Sequence, residues 1–150
     1  MRSILFVCYG NICRSPMAEF IMKDLVRKMG VEREFRIESR ATSAEELGNP
    51  VYPPARMELQ KHGIDCTGKV AMRLSLEDYT AFDLILVMDS RNRRAVLRMT
   101  DGDPEGKVHM MSEHTAHGDV DDPWFTRRFD IAWQVIADGC AAWLDHLFSR

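Results

Sequence analysis

Near the start of the chain a cysteine and an arginine bracket five residues, in the stretch Val7-Cys8-Tyr9-Gly10-Asn11-Ile12-Cys13-Arg14-Ser15-Pro16. The backbone N–H groups of a loop this short can turn inward and form a nest for an anion. Arg14 offers a planar fork that grips two oxygens of a phosphate. Gly10 and Asn11 tolerate the unusual backbone angles of a tight cradle. Ser15 reads as a helix N-cap and Pro16 as the first helical residue, which would aim the positive end of a helix at the same anion. That field also stabilises a thiolate, and such surroundings lower a cysteine pKa from about 8.5 towards roughly 3.5–7.5. One loop would thus bind a phosphoryl group and activate its attacker. The spacing alone is common, but no other cysteine has an arginine six positions on. Zinc fits poorly, since Cys8 and Cys13 lack a second ligand pair and Arg14 repels a cation.

A phosphoryl group moved onto sulfur leaves an oxyanion that needs a proton, and the thiophosphate then needs an activated water. One carboxyl group can serve both steps in turn. Asp119, Asp121 and Asp122 lie together late in the chain. Pro123 restricts Asp122 to extended backbone angles, yet residue types alone leave Asp121 as a rival.

These groups need elements to hold them. The apolar run Ile4–Val7 reads as a buried parallel strand, and Met17–Met29 as a helix stopped by Gly30. Phe35–Ser39 alternates like a strand. Thr42–Pro54 reads as a long loop, Ala55–His62 as a helix and Leu76–Tyr79 as a helical turn. Phe82–Val87 is a buried strand, Asn92–Met99 a helix and Val108–Met111 a weak strand. A polar loop follows to Asp122, and Phe129–Phe148 has the apolar stripe of a closing helix. Strands alternating with helices imply an α/β fold with a parallel sheet covered on both faces. In such sheets ligands sit beyond the carboxyl ends of the strands, where the Cys8 loop falls.

At 150 residues the chain suits one domain, residues 1–150. A net charge of −3 argues against a nucleic-acid partner. Arg91, Arg93, Arg94 and Arg98 read as a solvated helix face, and His114 and His117 as part of a solvated loop. No signal-peptide pattern or membrane-span pattern is seen. A cytoplasmic protein with reduced thiols is expected, with Cys66 and Cys140 as core residues.

The chain resembles the low-molecular-weight protein tyrosine phosphatases. The resemblance rests on the Cys8 loop quoted above, Ala18-Glu19, Gly48-Asn49-Pro50, His62-Gly63-Ile64, Met88-Asp89 with Asn92, and Asp122-Pro123. It implies a flavodoxin-like three-layer αβα sandwich with a four-stranded parallel sheet, no cofactor and no metal. It implies Cys8 as nucleophile, Arg14 as phosphate clamp and Asp122 as general acid. The phosphate site would be Tyr9, Gly10, Asn11, Ile12, Cys13 and Ser15, with Trp124 and Phe125 as walls beside Tyr9 and Ile12. Ser15 would hydrogen-bond the nucleophile, and Asn11 and Ser39 would hold the loop. Cys13 would be a possible disulfide partner for Cys8. The partner is then a phosphotyrosine-containing protein or peptide, met by a monomer or weak dimer.

Several positions depart from the family pattern. Trp124 and Phe125 replace two tyrosines, which removes a phosphorylation site. Glu45 replaces an aromatic, which would make the rim acidic and favour basic peptide neighbours. Tyr52 and Lys69 replace an aspartate and a histidine, and Lys69 puts the bracing of the loop in question. Ile12 stands where relatives acting on phosphoarginine carry threonine. An arsenate reductase would need further cysteines around residues 75–90, where there are none. A phosphotyrosine-binding module without turnover would not need Cys8, Arg14 and Asp122 together.

Overall fold

The structure, a computed structural model, describes residues 1–149. Four strands form one parallel sheet in the order β2-β1-β3-β4. They are β1 (Arg2–Cys8), β2 (Phe35–Ala41), β3 (Leu84–Val87) and β4 (Val108–Met110). Side chains alternate along a strand, so β1 feeds two cores. Ile4, Phe6 and Cys8 pack under α1 (Arg14–Lys28), α2 (Pro53–Lys61) and α6 (Phe129–Phe148). Leu5 and Val7 pack on the other face with Tyr79 of α3 (Leu76–Ala81) and Val96 of α4 (Ser90–Met99). Burial on both faces explains why β1 reads as an unbroken apolar run. This is the flavodoxin-like αβα sandwich. The chain leaves β1 for β2 on one side and β3 lies on the other, so the carboxyl end of β1 is the switch point of the sheet.

Several boundaries differ from the sequence reading. Helix α1 begins at Arg14, with Cys13 at its N-cap and no side-chain capping bond. Ser15 is therefore not the cap and Pro16 is not the first helical residue; the Ser15 hydroxyl is used elsewhere, as described below. β2 runs on to Ala41, which pairs with β1 and also bonds the connection on either side of Arg73 (Ala41 N–H to the Met72 carbonyl, 2.7 Å; Leu74 N–H to the Ala41 carbonyl, 2.8 Å). β3 starts two residues later than its apolar run. Phe82 ends α3, and Asp83 is tied to Ser3 by three bonds of 2.8, 3.1 and 3.2 Å. A short 3₁₀ turn at Glu32–Glu34 and the helix α5 (Pro123–Thr126) carry too few residues to show a period.

The loop after β4 is not simply solvated. His114 stacks on His146 of α6 at 4.2 Å and meets the edge of Trp143 at 4.5 Å. His117 pairs with Asp138 at 2.9 Å. The four arginines of α4 are exposed. Where α6 passes this loop, Gly139 touches Met111. A Cβ there would lie 2.8 Å from the Met111 carbonyl oxygen and 2.9 Å from its Cε. In an open helix Gly→Ala gains about 1 kcal/mol. Here Gly139→Ala is expected to lose about 1–3 kcal/mol instead, because backbone must move. Urea unfolding checks the sign.

No helix among the described residues is long and apolar enough to cross a membrane. Among them no group of three or more His, Cys, Asp or Glu is arranged to hold a metal ion.

Candidate active site

Cys8 is the last residue of β1 and its sulfur lies at the amino end of α1. The Ser15 N–H points at it from 3.4 Å and the Ser15 oxygen is 3.0 Å away. These contacts place the sulfur at the positive end of the α1 dipole. The turn depends on Asn11, which takes the left-handed conformation at φ +59°. Asn11 tolerates that better than most residues because its short amide can bond locally, here donating to the Ser15 oxygen at 2.7 Å, while its own oxygen accepts the distant Met72 N–H at 3.0 Å. Gly10 was expected to share this duty but is not left-handed.

Arg14 lies beside the sulfur, buried, with its guanidinium fixed from two directions. Nη1 donates to Asp89 at 2.6 Å and to the Val120 carbonyl at 2.8 Å, while Nη2 stands 3.5 Å from Asp122. Burial on its own would lower the Arg14 pKa, but the Cys8 sulfur, Asp89 and Asp122 outweigh it and the net shift is upward. Asp89 is a residue whose role sequence reasoning missed. It caps α4 through the Asn92 N–H at 2.8 Å and spends its other oxygen on Arg14. An aspartate after an apolar strand signals the cap; nothing local signals a partner 75 positions away.

Of the three candidate acids Asp122 lines the cavity above Cys8; Asp119 and Asp121 do not, and line hollows on the neighbouring surface, one of which Asp122 also borders. Asp119 accepts the Ser90 N–H and hydroxyl, both at 3.0 Å. Asp122 caps α5, taking the Trp124 N–H on Oδ1 at 3.0 Å, which leaves Oδ2 facing Arg14. Pro123 starts that helix, and Trp124 and Phe125 follow it onto the rim.

The cavity measures about 180 Å³ and its walls include Tyr9, Ile12, Trp124 and Phe125, with Glu45 and Glu46 at the mouth. Tyr9 donates its hydroxyl to Glu45 at 2.6 Å. Tyr52 packs on Trp124 at 4.8 Å between ring centroids and accepts from Arg127 at 3.1 Å. Tyr52 thus braces an aromatic wall. Cys13 also lines the cavity; burial, then the neighbouring Cys8 charge, pushes its thiol up. It is a poor rival nucleophile. All four cysteines are free, and burial likewise raises Cys66 and Cys140.

Two expected substrate contacts sit elsewhere. The side chains of Asn11 and Ser15 are buried behind the loop and do not line the cavity. Asn11 Nδ2 donates to the Ser15 oxygen at 2.7 Å and to the Ser39 oxygen at 2.9 Å. Ser39 donates to Glu19 at 2.6 Å, and Lys69 reaches both Glu19 and the Ser39 carbonyl at 3.0 Å. Lys69 therefore completes the bracing that its identity put in question.

A parallel α/β sheet with a thiol at its switch point, cradled by a helix terminus, a buried arginine and a rim carboxylate, defines a cysteine-dependent phosphoryl-transfer site. The family model for low molecular weight phosphotyrosine protein phosphatase matches residues 3–150. The chain is 35% identical over 143 residues to low molecular weight protein-tyrosine-phosphatase YfkJ of Bacillus subtilis, covering 93% of this chain and 92% of that one. The crystal structure of YfkJ superposes with a TM-score of 0.94, covering 98% and 94% of the two chains. SP-PTP, a low molecular weight protein tyrosine phosphatase from Streptococcus pyogenes, gives 0.89 at 39% identity, covering 100% and 95%. The Drosophila arginine phosphatase DARP gives 0.91 at 28% identity, covering 99% of each chain. The chain belongs to the low molecular weight phosphotyrosine protein phosphatase family.

Proposed function

We propose that the protein hydrolyses phosphotyrosine in proteins or peptides through a cysteinyl-phosphate on Cys8. The observation that carries this is the Cys8 sulfur, held by Ser15 at the amino end of α1 in a cavity shared with Arg14 and Asp122. In the first step the thiolate attacks phosphorus as the P–O bond to the phenol breaks. Asp122 gives its proton to the departing oxygen. The transition state is loose, with charge spread over three oxygens, and Arg14 with the loop N–H groups faces that charge. In the second step Asp122 takes a proton from water as its oxygen attacks phosphorus. Inorganic phosphate leaves and the thiolate returns.

Aromatic walls suit a phenyl ring, and a cavity deep enough to seat sulfur at its floor disfavours the shorter phosphoserine. Ile12 lines it with hydrocarbon, which offers no partner to the polar guanidinium of phosphoarginine. The carboxylates of Glu45 and Glu46 favour basic neighbours of the phosphotyrosine. The free cysteines fit a reducing, cytoplasmic setting, and a monomer or weak dimer suffices because one chain supplies the whole site.

The test is phosphate release from matched peptides bearing phosphotyrosine, phosphoserine or phosphoarginine. The phosphotyrosine peptide is expected to lead by about a hundredfold or more in kcat/KM, the range of a good and a poor pocket fit. Acid quenching during turnover should leave one phosphoryl group on Cys8. Preference for phosphoarginine, or no phosphate on Cys8, would overturn the reading.

A further inference from the structure

The wall formed by Trp124 has little behind it. Trp124 is 44% exposed, and Tyr52 is the ring that packs on its indole, at 4.8 Å between centroids. A side chain so exposed can swing away in the empty site, and fixing it when a substrate ring arrives costs affinity. Tyr52 itself is anchored. Its N–H donates to the Ile12 carbonyl at 2.9 Å, which ties it to the Cys8 loop. Its ring also lies 6.1 Å from that of Phe129 on α6.

Arg127 closes this set from the other side. It ends α5 in the left-handed conformation, at φ +60° and ψ 13°. Glycine is the usual choice there, because a Cβ makes that conformation costly. The Arg127 N–H donates to the Pro123 carbonyl at 2.9 Å, a bond that glycine would make as well. The side chain makes the bonds that glycine would not. Nη2 donates to the Tyr52 hydroxyl at 3.1 Å and Nη1 to the Trp124 carbonyl at 3.3 Å. The guanidinium carbon stands 5.4 Å from the ring centres of both Tyr52 and Phe129. One planar fork thus spans the Trp124 backbone and the ring that supports its indole. A strained backbone kept at such a point is explained by the side chain it carries.

We infer that Arg127 is a positioning residue for ring selection, clamping Trp124 against Tyr52 so that the wall stands ready for an aromatic phosphate ester. Its role in turnover rests on the phosphatase reading, but preference for a ring is measured without turnover. The probes are benzylphosphonate, in which a methylene replaces the ester oxygen of phenyl phosphate, and methylphosphonate, which has the same charged group and no ring. The readout is the ratio of their affinities by calorimetry. That ratio also sets charge aside. Burial pushes the Cys13 thiol up and the Arg127 charge, with that of Arg14, works against it, so the Arg127 charge is felt at the cavity. Its loss should weaken both anions alike.

Arg127→Gly and Arg127→Asn both accept the left-handed turn and both remove the fork. Each is expected to lower the benzyl-to-methyl ratio about fivefold, as for one exposed cation–π contact and hydrogen bond. In a Trp124→Ala background, Arg127→Gly should lower it no further. With a phosphotyrosine peptide the same variants should raise KM more than they lower kcat. A ratio unmoved in both variants, folded by circular dichroism, overturns the inference. So does a fall in Arg127→Gly alone, which would belong to the backbone, or an equal fall with Trp124 already removed. A loss carried by kcat would put Arg127 behind Asp122 and overturn it too. If the ratio falls as expected in a protein that frees no phosphate from the peptide, the clamp stands and the phosphatase reading fails.

Discussion

Cys8→Ser stops the hydrolysis of phosphotyrosine peptides, a fall on the order of 10⁵-fold or more, comparable to nucleophile removal in other covalent enzymes. The reason lies in the atom, not the shape. Sulfur is the far stronger nucleophile towards phosphorus, and an alcohol with no general base beside it attacks poorly. The rest of the cradle is untouched by the change. Arg14 keeps Asp89 and the Val120 carbonyl, and the α1 N–H groups keep their direction. The variant should therefore still bind phosphate, and calorimetry with inorganic phosphate reads this separately from rate. Cys8 is 3% exposed and part of the larger core, so the fold is checked by circular dichroism beside the assay. Turnover undiminished in a folded Cys8→Ser protein ends the mechanism.

How far the sequence led depends on how local each signal is. β1 reads correctly because burial on both faces leaves only apolar residues, and α6 matches its expected Phe129–Phe148 because twenty residues give the period room to show. The start of α1 misleads for a chemical reason. Ser15 looks like a cap, but its hydroxyl serves the sulfur 3.0 Å away, and the helix starts uncapped at Arg14. Such a conflict between local rule and structure is expected at a functional site. The Arg14–Asp89 pair and the Lys69–Glu19 pair join distant stretches, so no window of sequence displays them. Lys69 shows the limit of pattern comparison most clearly. A residue that breaks a family's pattern looked like a weakness, and it holds the charge at the end of the bracing chain.

Residue types left Asp121 and Asp122 equal as acids, and a variant pair now separates them. Asp122→Asn keeps an oxygen for the Trp124 N–H, which Asp122 accepts at 3.0 Å, so the α5 cap and the aromatic wall remain. Asp122→Ala loses that cap as well, at about 1 kcal/mol of stability. If Asp122 is the proton donor, both variants slow turnover of a phosphotyrosine peptide by about 10²–10⁴-fold, the usual contribution of general acid catalysis. The loss should shrink with p-nitrophenyl phosphate, because nitrophenolate leaves with little help from a proton. That dependence on the leaving group is the decisive part. A positioning defect slows both substrates alike, whereas a missing acid slows the poor leaving group more. Asp121→Asn, which changes a residue outside the Cys8 cavity, should leave both rates near wild type. Should Asp121→Asn instead reproduce the leaving-group pattern while Asp122→Asn does not, the acid is Asp121, and the capped geometry around Asp122 serves the wall alone.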